Sequence, residues 1–300
     1  MIIDFTSCVR NDFKAYGGAN GSKINIAYDG KNYMLKFPPK PTLNREISYS
    51  NSCVSEYIAC HIFETLGFTV QQTLLGTYTY GQKKEYVVVA CEDFTSPEKR
   101  LIEFAALKNT CIDSPQDGYG TELTGILEAI REQNILQPEK LQDFFWEMFI
   151  ADAFLGNFDR HNGNWGILVD EAHAMAEIAP IYDCGSCLYP QVSPQDIPII
   201  LEDDSEIDKR IFVYPTSAIK ADNTKINYFE FISSHANPDC SRALIKIASK
   251  IDMEKIYKVI DETPFISETQ KTFYKRMVLE RKNRIIDHSL EKTPHSVHKG

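Results

Sequence analysis

Asp159 and Asn164 stand five positions apart in the stretch Asn157-Phe-Asp-Arg-His-Asn-Gly-Asn-Trp-Gly166, and Asp183 follows in Tyr182-Asp-Cys-Gly185. Phosphoryl transfer asks for a carboxylate near the acceptor hydroxyl and for oxygen ligands that hold Mg²⁺ on the phosphates. The Asp159–Asn164 separation is that of Asp and Asn in a catalytic loop H-R-D-x-x-x-x-N. Asp159 then orients or deprotonates the hydroxyl, while Asn164 and Asp183 bind the metal. An isolated Asp-Cys-Gly is an ordinary turn and Asn-Gly-Asn an ordinary loop. Spacing, an intervening strand pair and a second aspartate together carry the signal.

Lys36 closes the strand-like run Tyr33-Met-Leu-Lys-Phe37. A lysine there can grip the α/β-phosphates if a helix carboxylate fixes its ammonium. Glu56 is the best partner on the following helix, and Glu64, near the other end of that helix, is a weaker one. Upstream, Gly17-Gly-Ala-Asn-Gly-Ser-Lys23 offers small residues whose backbone amides can approach phosphate, with Lys23 adding charge. Such a turn between strands is often only a turn. It matches neither G-x-x-x-x-G-K-[ST] nor the whole of G-x-G-x-x-G.

The elements that must position these residues change character along the chain. Lys23–Tyr28 and Tyr33–Phe37 flank Asp29-Gly30, a two-residue hairpin signal. Two further strands are expected at 71–80 and 85–90. Between the pairs, Val54, Ile58, Ile62 and Leu66 repeat every four residues over a helix that Gly67 can end. The segment 105–120 reads as turn-rich. Helices follow at about 121–133 and 139–155, then strands at 165–169 and 178–182. The stretch 190–223, with its prolines and Glu202-Asp-Asp-Ser-Glu206, reads as a long loop or insertion. Helices close the chain near 239–250, 252–261 and 267–290. Strands first and helices later predict an α+β, two-lobed fold: a β-rich lobe over 1–92 and a mostly helical lobe over 93–300, ending in a basic helix and tail.

Three hundred residues, 43% hydrophobic and 25% charged, suit a globular protein with a sizeable core. No apolar run nears the ~20 residues that span a bilayer. The first residues lack a basic and then apolar leader, which makes the cytoplasm the default location. A net charge of −10 disfavours general nucleic-acid binding. Residues 271–300 nevertheless hold eight Lys/Arg against three Asp/Glu, a charge suited to an acidic partner, an anionic membrane surface or simple solvation. Among eight cysteines, only Cys184-Gly-Ser-Cys187 has redox or metal-like spacing, and it lacks a second ligand pair. Reduced, buried thiols are the expectation.

Gly156-Asn-Phe-Asp-Arg-His-Asn-Gly-Asn-Trp-Gly166 resembles the Gly-Asn-x-Asp-Arg-His-x-x-Asn-(Trp/His)-Gly signature of HipA-like serine/threonine kinases. The similarity runs in order over about 15–290, most closely to small members without the extra N-terminal subdomain. It implies a two-lobed kinase fold, ATP and Mg²⁺ as cofactors, and protein Ser/Thr hydroxyls as acceptors. Self-phosphorylation is included, with Ser22 a candidate by position. The resemblance also sets Gly18, Ala19, Asn20, Gly21, Ser22 and Lys23 at the nucleotide, favours Glu56 as the partner of Lys36, and makes Glu92 an interlobe acid that could reach the ribose. It allows secretion and entry into host cells. His161 and Asp152 read as braces of the loop. A lipid or small-molecule kinase, sharing Asp-Arg-His-x-x-Asn, and a nucleotide-binding toxin-antitoxin-like module without turnover are the competing readings.

Overall fold

The computed structural model describes residues 2–11, 22–39, 51–81, 84–112 and 116–293. Most of the glycine-rich segment, including Gly18, Ala19, Asn20 and Gly21, and the last seven residues of the basic tail lie outside them.

Alternation along the strands decides which side chains meet the cleft. The first sheet comprises β1 (Ile3–Asp4), β2 (Val9–Arg10), β3 (Lys23–Tyr28), β4 (Lys31–Lys36), β5 (Thr73–Tyr80) and β6 (Lys84–Glu92), in the order β1-β5-β6-β4-β3-β2. The β3–β4 turn has positive φ at both Asp29 (47°) and Gly30 (74°), the left-handed pair such a hairpin requires. Tyr33 and Leu35 of β4 join Ile26, Val88 and Ala90 in an apolar cluster on one face. The period of two then sends Met34 and Lys36 to the other face. There Val89 and Cys91 pack with helix α1 (Ser52–Thr65), whose Ile58, Ile62 and Phe63 are buried in the main core.

The second lobe starts with β7 (Lys99–Glu103), which runs into α2 (Phe104–Cys111). The expectation of a turn-rich 105–120 holds over 116–119 and is corrected for Phe104–Cys111. Phe104 stacks on Trp165 at 3.9 Å and Leu107 is buried, so tertiary packing stabilises a helix too short to form alone. Next come α3 (Leu123–Glu132) and α4 (Pro138–Leu155), then β8 (Gly166–Asp170) and β9 (Met175–Ile178), which form a sheet in the order β7-β8-β9. The second strand of that hairpin therefore precedes its expected position, because the turn at 171–174 pairs Asp170 with Met175. Residues beyond β9 continue toward Asp183, with Ile181 bridged to Val70 in the first lobe.

The stretch 190–223 is not a loop. It contains α5 (Ile197–Glu202), α6 (Asp204–Asp208), a π-helical turn over 209–213 and strand β10 (Lys220–Ala221), which pairs with β11 (Thr224–Lys225). Ile197, Ile200, Ile207 and Ile211 are buried beneath it. The acidic run caps α6: the Asp203 side chain accepts from Ser205 N–H at 2.8 Å. Then follow α7 (Tyr228–Ser234), α8 (Pro238–Ala248), α9 (Met253–Glu262), α10 (Glu268–Arg281) and α11 (His288–Glu291). A π-helical stretch over 282–287 divides the single helix expected at 267–290. The basic residues of this end are not left unpaired as a group: Lys275 meets Asp261, Arg276 meets Glu280, Arg284 meets Asp208, and Arg281 is buried. Among the described residues no helix is long and apolar enough to cross a membrane.

Candidate active site

Helix α4 delivers the loop. Its last eleven residues, Phe145 and Trp146 among them, are buried almost without break, so its end is fixed in the core. Gly156 terminates it in the left-handed conformation (φ 66°), where a Cβ would lie 3.2 Å from Pro215 Cγ and 3.5 Å from the Arg281 guanidinium. The chain then turns into Asn157, whose Nδ2 donates to Asp152 Oδ1 (2.7 Å) and whose Oδ1 accepts from Asp159 N–H (3.1 Å). Asn164 Nδ2 donates to the Asp159 carbonyl at 2.8 Å, closing the loop between the two residues.

Arg160 ties this loop to the turn that carries Asp183. Its buried guanidinium pairs with Asp152 (3.1 Å) and donates to the carbonyls of Asn164 (2.8 Å) and Tyr182 (2.6 Å). Burial pushes the Asp152 carboxyl up, and Arg160 opposes that shift. Breaking such a buried pair leaves one charge uncompensated. Arg160→Ala is therefore expected to lower unfolding free energy by roughly 3–5 kcal/mol, read from urea denaturation. An unchanged midpoint would show that the pair is not a stabilising tie. His161 Nδ1 accepts from Gly163 N–H at 3.0 Å and its ring meets Tyr119 edge-on, the geometry of a loop brace.

Across the cleft, Lys36 Nζ lies 2.9 Å from Glu56 Oε2 and 3.0 Å from Asp183 Oδ1. Glu64, the other candidate partner, is exposed toward the far end of α1. The second Glu56 oxygen accepts from Cys184 N–H at 2.9 Å, so one buried carboxylate holds both the strand lysine and the turn behind Asp183. A side chain at Gly185 would press on that carboxylate, its Cβ 3.1 Å from Glu56 Oε2. Burial opposes the charge on Lys36, but Asp183 and Glu56 together raise its pKa well above the ordinary lysine value. The Lys36 ammonium in turn holds the Asp183 carboxyl down at about 2. Asp159 behaves in the opposite way: burial lifts its pKa, and the nearby Asp183 charge adds to the shift.

These groups line one cavity of about 790 Å³ that also includes Lys23, His161 and Asn164. Ser22, at the start of the described chain here, is exposed, and its carbonyl accepts from Phe37 N–H at 3.0 Å. Glu92 makes its contacts within the sheet lobe. Its carboxylate pairs with Lys31 at 2.8 Å, its N–H donates to Gln72 O, its carbonyl accepts from Gln71, and it is not part of the cavity wall. Strand pairing with Tyr33 sets this orientation. Asp93, Gln71 and Met34 line the cavity there instead. Glu92→Gln is thus expected to leave the KM for nucleotide within about twofold, since an exposed ion pair is worth ~0–1 kcal/mol. A tenfold rise would return the residue to the nucleotide. Sequence reading also missed Tyr119 and Lys225. Tyr119 enters the cavity from the turn before α3, and Lys225, on β11, helps to offset the upward shift at Asp159. No motif marks either position.

The cysteines are all free thiols, six of them buried. Cys184 lies 3.4 Å from Arg160 Nη2, and although burial works against its ionisation, hydrogen bonds from Cys187 and Cys60 with the Arg160 charge bring its pKa well below the ordinary thiol value.

A sheet lobe over a helical lobe, with a lysine-bearing strand on one wall of the cleft and a carboxylate-bearing loop on the other, is the architecture of kinase-like phosphotransferases. The HipA-like C-terminal domain matches residues 15–226. Serine/threonine-protein kinase CtkA of Helicobacter pylori strain J99 is 50% identical over 286 residues, covering 95% of this chain and 86% of CtkA. The crystal structure of a Helicobacter pylori proinflammatory kinase CtkA superposes with a TM-score of 0.90 at 48% identity, covering 97% of each chain. HipA of Shewanella oneidensis MR-1, solved with HipB and operator DNA, shares the fold at a TM-score of 0.58 and 16% identity, over 94% of this chain and 67% of that one. The chain belongs to the HipA-like family and is a protein serine/threonine kinase.

Proposed function

We propose that this kinase transfers the γ-phosphoryl group of ATP to Ser/Thr hydroxyls of proteins, its own included, with residues 1–92 and 93–300 as its two lobes. The observation that carries the reading is the convergence of Lys36, Glu56, Asp159, Asn164 and Asp183 on one cavity. In the reaction the acceptor oxygen forms its bond to the γ-phosphorus as the bond to the β-bridging oxygen breaks. Asp159 orients the hydroxyl and takes its proton. Lys36, fixed by Glu56, grips the α/β-phosphates, and Lys23 adds charge on the same side. The residues suit Mg²⁺: Asp183 stays ionised, Asn164 keeps its amide oxygen as acceptor, and both are hard oxygen ligands. No cluster of three His, Cys, Asp or Glu stands ready among the described residues, and Mg²⁺ shared with phosphates needs none. Bound there, Mg²⁺ would neutralise phosphate charge.

The test is incubation with labelled ATP, Mg²⁺ and a generic protein acceptor, with inositol lipid and aminoglycoside in parallel. Label in the protein acceptor and in the kinase itself is expected. Label confined to lipid or drug would replace the protein reading, and nucleotide binding without turnover would replace the enzyme reading.

A further inference from the structure

A second cavity, of about 600 Å³, begins one residue from Asp159. Phe158, Val192, Ile199 and Pro215 give it apolar walls, with Tyr189 and Tyr214 beside them. Ile199 is 64% exposed and Tyr214 40%, although their neighbours Ile197 and Ile200 are buried. Ile199 and Tyr214 thus stand open beside a concave, mostly apolar hollow that can take a side chain of another molecule.

The cavity flanks the same loop as the reaction centre, though the two share no lining residue. Phe158 lines it, while Asp159 lines the nucleotide-side cavity, and consecutive Cα atoms are only about 3.8 Å apart. An extended chain advances about 3.3 Å per residue. A segment with its hydroxyl at Asp159 that runs past Phe158 brings a side chain one to three residues away to this groove. The groove wall is anchored to the other lobe: Asn51, at the entry to α1, donates from its N–H to Pro190 O (3.2 Å) and from Nδ2 to Val192 O (2.8 Å). Asp196 and Glu206 line it with Arg210; Glu206 is paired with Lys209 and Arg210, whereas Asp196 accepts from the Ser193 hydroxyl at 2.7 Å and carries the acidic edge.

We propose that this groove, resting on the kinase reading above, selects protein segments with a large aliphatic or aromatic side chain within three residues of the acceptor Ser/Thr and a Lys or Arg beside it. The apolar wall matches the first feature and the Asp196 carboxylate the second. An aminoglycoside would leave the apolar wall uncovered.

The experiment measures kcat and KM for Ser peptides that differ only in placing Ala, Leu or Asp at each of the three positions on either side of the acceptor, with or without a neighbouring Lys. Wild type and Ile199→Asp are compared, with thermal unfolding and the KM for ATP as controls. At one or more positions Leu is expected to lower KM roughly tenfold to a hundredfold against Ala, as burial of such a side chain implies. Lys should lower it further and Asp raise it. Ile199→Asp should raise the KM of the Leu peptide about tenfold and leave kcat, the KM for ATP and stability unchanged. Equal KM across the series, or a preference unmoved by Ile199→Asp, overturns the proposal while leaving the kinase reading intact. A wild type that labels neither peptides nor proteins overturns both.

Discussion

Asp159→Asn is expected to slow phosphoryl transfer by roughly 10²–10⁴-fold while the protein folds as stably as wild type, or more so. The two effects have one origin. Burial and the Asp183 charge raise the Asp159 pKa above the unfolded value, so the folded state holds this proton more tightly than the unfolded chain does. Above the folded pKa, ionising the carboxyl therefore costs stability, and a neutral amide removes that cost. The same shift sets the pH profile. A base must be deprotonated, so kcat/KM should fall as pH drops through a value above the usual 3.8 of an aspartate. Asp183, held at about 2, stays ionised throughout that limb and cannot cause it. Thermal unfolding at neutral pH and a kcat/KM profile against acidity check both parts. Wild-type rates in Asp159→Asn, or an acid limb at or below the ordinary aspartate range, would remove Asp159 from the chemistry.

Much of this centre was legible because it is built from local spacing. The Asp159–Asn164 interval lies within one loop, and the turn at Asp29-Gly30 reports itself through residue type. Glu56 was legible as the better partner of Lys36, with Glu64 the weaker one, although only packing brings strand and helix together. What failed to show has a common physical cause. Phe104–Cys111 is helical because Phe104 stacks on Trp165, far away in the chain. The isoleucines at 197, 200, 207 and 211 are spread over two short helices and a π turn, so no single period links them. Lys225 and Tyr119 are surface-type residues that only the tertiary fold brings to the loop.

Lys36→Met should separate what holds the cleft together from what performs the reaction. In the wild type one ammonium lies within 3.0 Å of two carboxylates, and Glu56 is almost fully buried. Removing the cation leaves Glu56 without its partner, and loss of roughly 3–5 kcal/mol is expected for a buried pair broken from one side. Transfer should also fall, by about 10²–10³-fold, the usual effect of deleting one electrostatic contact to reacting phosphate. Lys36→Met combined with Glu56→Gln then distinguishes the roles. The amide oxygen of Gln can still accept from Cys184 N–H, while the stranded charge is gone, so most of the stability should return. Activity should not, because nothing replaces the ammonium at the phosphates. Urea unfolding and kcat on the wild type and these two variants are the measurements. A double variant that regained transfer would show that Lys36 serves only to hold Glu56 and Asp183 together. A single variant of unchanged stability would show instead that water in the cleft already satisfies Glu56, and the pair would then matter for phosphate alone.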